Sequence, residues 1–285
     1  MQLAYSTNAF TRHSIEHAVK AIAELGFAGV ELLCDRPHWF PGEVTETEVR
    51  RMRDALADHG LAVSNLNANT ANGYYSPAPP ENTFEPSMSN EDPELRRWRE
   101  NYSIEAIKLA AAVGARAVSV TSGNPRAGLE PERRVELFVD SLRRICAEAE
   151  RYGMRVGVEY EPGLLIERAS ELRAVIDAVD SPALGVNFDI GHSFLDGESP
   201  EEAVALLKGR IWNVHVEDIR GNKHYHLVPG DGELPFERYF NVLHQAGYDG
   251  FLTVELYTLT HAPVEAGERS LAHLTPLLPE ASAAG

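Results

Sequence analysis

The stretch Ala183-Leu-Gly-Val-Asn-Phe-Asp-Ile-Gly-His192, ALGVNFDIGH in one-letter code, runs apolar and then breaks into Asp189, a glycine and His192. A short apolar, β-branched run closed by polar residues reads as a buried strand of a parallel sheet. Three other stretches end in a similar way. RVGVEYE (155–161) closes on Glu159 and Glu161, IWNVHVED (211–218) carries His215, and FLTVEL (251–256) carries Glu255.

Outward from these four stretches the same unit repeats. LAYST (3–7), GVELL (29–33), LAVSNLNA (61–68) and ARAVSVTS (115–122) are further strands, and segments of helical period lie between them at 14–25, 45–59, 94–113, 131–152, 169–179, 200–208, 235–246 and 265–277. Gly26, Gly60, Gly114, Gly153 and Gly247 each follow a helical segment closely, where a helix C-terminus favours glycine. Strict alternation of strand and helix predicts an α/β fold, a single (β/α)8 TIM barrel over residues 1–278, with 279–285 as a loose tail. An open doubly wound sheet is the alternative. The turn after the first strand, NAFTRHS, has none of the glycines of a dinucleotide loop, so no nucleotide cofactor is expected. Residues 69–93 form a connection with five prolines, far longer than usual, and its Tyr74, Tyr75 and Phe84 suit a lid over a pocket.

Composition narrows the function. The net charge of −17 opposes nucleic-acid binding, and no segment has the apolar length of a membrane span. The N-terminus MQLAYSTNAF lacks the pattern of a signal peptide, so a cytoplasmic protein is expected. Two cysteines, Cys34 and Cys146, give neither a disulfide framework nor a zinc-finger spacing. The four lysines lie outside the expected strands and offer little for Schiff-base chemistry. Self-association stays open.

In such a barrel the reactive groups stand at the C-terminal ends of the strands, around one mouth. The last four strands there bring Glu159, Asp189, His215 and Glu255 together. Buried carboxylates repel one another, and one divalent cation (Mn²⁺, Mg²⁺, Co²⁺ or Zn²⁺) removes the conflict. Glu161 is a secondary candidate on the same face as Glu159, and Glu217 and Asp218 are read as solvated loop charges. Trp39, in DRPHWFPG after the second strand, is a candidate to cover the apolar side of a bound substrate.

GFAGVEL, GVEYEPG, GVNFDIGH, NVHVED, HLVPGDGELPF and GYDGFLTVEL, in this order, resemble the xylose isomerase-like TIM-barrel superfamily of sugar phosphate isomerases/epimerases, ketose 3-epimerases, inosose dehydratases and endonuclease IV. For the ketose epimerases the resemblance implies metal ligation by Glu159, Asp189, His215 and Glu255, catalysis by Glu159 and Glu255, and substrate binding by His192. Two features depart from that group. Leu165 stands where the epimerases have a further Glu, and Gly221 where they have an Arg, leaving Arg220 as the nearest substrate-binding candidate. Asn65, Asn67, Ser119 and Thr121 stand in the strands where endonuclease IV carries histidines. His224 and His226, before Gly230-Asp231-Gly232, are candidates for substrate or a second metal.

These features together imply a divalent-metal-dependent isomerase or epimerase of a keto-sugar or cyclitol, acting by proton transfer through a metal-bound enediolate. A metal-dependent lyase or dehydratase on an inosose or 3-keto sugar is the first alternative, and a non-catalytic metabolite-binding protein the second. The partner is a small polyol or keto-sugar. With only Arg126, Arg220 and Lys223 as basic residues near the mouth, it is expected to be unphosphorylated.

Overall fold

The computed structural model describes residues 1–125 and 130–279; Arg126 and the tail beyond Pro279 lie outside the described residues. The strands are β1 Gln2–Ser6, β2 Gly29–Leu33, β3 Ala62–Asn67, β4 Ala117–Thr121, β5 Arg155–Glu159, β6 Leu184–Asp189, β7 Ile211–Val216, the hairpin β8 Asp218–Arg220 and β9 Lys223–Leu227, and β10 Phe251–Val254. β1 to β7 and β10 close into a parallel barrel, with β10 seated between β7 and β1. The helices are α1 Ile15–Leu25, α2 Glu46–His59, α3 Pro93–Val113, α4 Pro131–Arg151, α5 Ala169–Val179, α6 Ile190–Leu195, α7 Pro200–Leu207, α8 Phe236–Gln245 and α9 Pro263–Leu274. None of these is long and apolar enough to cross a membrane.

Local chemistry sets the boundaries. Ser14 caps α1, and Thr45 with Glu48 forms a reciprocal capping box on α2. Gly26 ends α1 at φ 95°, donating its N–H to the Ile22 and Ala23 carbonyls, a conformation costly for any residue with a Cβ. The apolar core lies between barrel and helices and includes Tyr5, Leu32, Phe138, Cys146, Phe188 and Phe240. Strand register shifts at Val30/Glu31 and at Val186/Asn187. Such irregularities re-aim side chains, and both Glu31 and Asn187 end up buried beside the site described below.

Two local features differ from the sequence expectation. The strand expected over 211–218 ends at Val216, and Asp218 opens the hairpin β8–β9 instead. α6 begins directly after β6, because Asp189 caps it by accepting from the His192 N–H. The long connection is tied down internally: Asn72 bonds Asn82 and the Thr83 N–H, and Ala71 N–H reaches the Thr83 carbonyl.

Candidate metal centre and active site

Glu159 is the last residue of β5, Asp189 the last of β6, His215 lies in β7, and Glu255 stands one residue past β10. All four are buried, and one ligand atom from each lies within 4.8 Å of the others. His215 Nδ1 is 3.0 Å from Glu159 Oε2, 3.7 Å from Glu255 Oε2 and 4.0 Å from Asp189 Oδ2. Its Nε2 is 2.7 Å from Glu31 Oε2, so Nδ1 is the nitrogen turned to the three carboxylates. Asp189 Oδ1 caps α6, while Asp189 Oδ2 is buried without a hydrogen-bond partner. An orphaned carboxylate oxygen beside two further carboxylates and an imidazole is a donor set suited to a divalent cation.

The electrostatics show the strain of this gathering. Burial, and then Glu159, Glu31 and Asp189, push the Glu255 carboxyl up to about 8, against the opposing pull of His215. Burial opposes charge on His215, but Glu31, Glu159 and Glu255 outweigh it and hold the imidazole well above its ordinary range. Burial likewise opposes charge on His192, yet Asp189, Glu161 and Glu159 raise it to about 9. Burial raises Glu161 to about 7.

Glu31 was not recognisable as a site residue from sequence, although a charged residue inside a strand buried on both faces was the available signal. Glu217 and Asp218, expected to be solvated, are both fully buried. Burial and the adjacent Asp189 push the Glu217 carboxyl well above the usual range, and both of its oxygens are buried without a hydrogen-bond partner. A Cβ at Gly191 would stand 1.6 Å from Glu217 Oε1, so the glycine of DIGH makes room for this carboxyl. Asp218 accepts from the N–H groups of Ile219, Gly230, Gly232 and Leu234, which folds the 228–234 loop around its carboxylate.

A cavity of about 660 Å³ opens beside the cluster, and Glu159, Glu161, His192, His224, His226 and Glu255 are among its lining residues. The three histidines form a second group: His224 Nε2 is 2.9 Å from His192 Nε2 and 3.0 Å from His226 Nε2. The long connection contributes Pro80, Glu81, Asn82 and Phe84 to the wall. Tyr74 and Tyr75 do not line the cavity, since Tyr74 packs edge-on against Trp98 at 4.5 Å. Two substrate-binding candidates lie away from the cavity wall. Trp39 packs in the apolar core, which takes its indole out of the cavity wall. Arg220 lies at the exposed end of β8, where its guanidinium donates to the Asp231 carbonyl.

The family profile of the xylose isomerase-like TIM barrel matches residues 19–277. The chain belongs to this family. Fructoselysine 3-epimerase of Shigella flexneri is 25% identical to this xylose isomerase-like barrel over 285 residues, covering 98% of this chain and 99% of that protein. Inosose dehydratase of Clostridium perfringens is 28% identical over 141 residues, 44% of this chain and 48% of that protein. The crystal structure of the IOLI protein with a bound zinc atom superposes with a TM-score of 0.80 at 14% identity, covering 98% of each chain, which shows a shared fold.

Proposed function

We propose that this chain is an epimerase or isomerase of a keto-sugar or cyclitol, working with one divalent cation held by Glu159, Asp189, His215 and Glu255. The observation that carries this reading is the convergence of those four side chains beside an open cavity. The full-length similarity to a fructoselysine 3-epimerase supports it, as does the zinc of the IOLI neighbour.

When bound, the cation acidifies the carbon beside the substrate carbonyl and stabilises the charge that develops on deprotonation. Glu159 and Glu255 approach from β5 and β10, with β6 and β7 between them in the barrel. One carboxylate takes the proton from one face of the substrate and the other returns it on the opposite face. His192 lines the same space and can hydrogen-bond substrate oxygens. Arg36 lines the cavity but its guanidinium is engaged by Glu43, which favours an unphosphorylated substrate.

Protein in D₂O with Mn²⁺ should exchange the proton beside the carbonyl of a keto-sugar or inosose, and Glu255→Gln should abolish the exchange. Exchange that survives complete chelation refutes the mechanism. A dehydratase is the second reading, favoured by Glu161: a carboxyl near neutrality on the cavity wall can protonate a departing hydroxyl. Loss of water in the product mass spectrum identifies it.

A further inference from the structure

We propose that Asn67 and Asn69 are positioning residues that hold the two reactive glutamates in separate, fixed orientations; this rests on the metal-centre reading above. The run Asn65-Leu-Asn67-Ala-Asn69 alternates along and just past β3, so its three amides share one side. All three are buried and reach across the barrel interior. Asn65 Nδ2 donates to Glu31 Oε2 at 2.8 Å. Asn67 Nδ2 donates to Glu31 Oε1 at 3.1 Å and to Glu255 Oε1 at 2.9 Å. Asn69 Nδ2 donates to Glu159 Oε2 at 2.9 Å. One ladder thus connects the carboxylate behind His215 with both glutamates of the proposed proton transfer.

The chemistry explains the residue type. Ionised carboxylates only accept hydrogen bonds, which fixes each Nδ2 toward its glutamate. An amide donates without adding charge, so the ladder orients the carboxylates and leaves the electrostatic balance of the centre to the cation. Each glutamate then has one oxygen held by amide donors and one facing imidazole nitrogens, which for Glu255 Oε2 include His226 Nδ1 at 3.4 Å. Asn8 joins Asn67 on Glu255 Oε1, and Glu255 Oε2 is left 3.7 Å from His215 Nδ1. Asn187 joins Asn69 on Glu159 Oε2, and Glu159 Oε1 faces His192 Nδ1 at 3.9 Å. The platform itself is rigid: the buried Arg99 guanidinium binds the carbonyls of Ala68, Asn69 and Thr70.

Co²⁺ is the probe, because its visible absorption reports ligand geometry as well as binding. Asn67→Leu and Asn69→Leu, close in size to the originals, should each weaken Co²⁺ binding about 10- to 100-fold, the loss expected for a hydrogen bond to a charged group, and should alter the visible spectrum. Asn67→Ser and Asn69→Ser carry the same expectation where a leucine variant does not fold. Affinities within twofold of wild type with an unchanged spectrum overturn the ladder alone. Wild-type protein that takes up no Co²⁺ overturns the metal-centre reading, and the ladder with it.

Discussion

Gly191→Ala tests how tightly the carboxyl groups are packed behind the proposed centre. The added Cβ would lie 1.6 Å from Glu217 Oε1, 2.7 Å from Glu217 Cδ and 3.2 Å from Ile219 Cγ1. Glu217 is fully buried and cannot swing into solvent. Overpacking a filled interior costs about 1–3 kcal/mol, and a contact at 1.6 Å with a buried carboxyl puts this site at the upper end of that range. Because a small backbone shift relieves part of the clash, about 3 kcal/mol is expected, a fall in Tm of roughly 6–10 °C for a chain of this size. The assay is thermal and urea unfolding of a double-mutant cycle with Glu217→Ala. Removing the Glu217 side chain makes room for the alanine, so Gly191→Ala should cost about 2 kcal/mol less in that background. A cost below about 0.5 kcal/mol, the range of ordinary surface changes, or the same cost in both backgrounds, refutes the reasoning.

Asp218→Ala removes an acceptor for four backbone N–H groups, and should cost about 3 kcal/mol or more in urea unfolding. Saturating metal should stabilise the protein by about 2.7 kcal/mol at a hundredfold excess over Kd, read as a rise in Tm that chelator reverses. Burial and the neighbouring His224 push the His226 imidazole down to about 3. The unfolded chain therefore binds a proton that the folded chain refuses between pH 6.5 and about 3, and this group makes stability fall on acidification by roughly 1.4 kcal/mol per pH unit in that window. His226→Gln should flatten the acid limb of the stability profile by about that slope, and an unchanged limb contradicts the assignment.

The barrel was legible because strand and helix periods differ and because glycines such as Gly26 and Gly60 punctuate the helices. The four strand-end residues followed from the rule that barrel strands deliver side chains to one mouth, and the structure does bring Glu159, Asp189, His215 and Glu255 together. Contacts across the barrel interior were not legible. Glu31 meets His215 over 184 positions of sequence, and no periodicity marks such a pair. Side-chain direction was also hidden: Trp39 turns into the core and Arg220 outward, because the bend after β2 and the hairpin β8–β9 set their orientation. The burial of Glu217 depended on a glycine on another element, Gly191, whose purpose appears only once β6 and β7 lie side by side.

The most direct test of the central claim is metal content after reconstitution with Mn²⁺ and dialysis, compared between wild type and Asp189→Asn. Wild type should retain a tightly bound equivalent per chain that the nearly isosteric Asp189→Asn loses. Wild-type protein that retains none, or an Asp189→Asn variant that binds as tightly, contradicts the account.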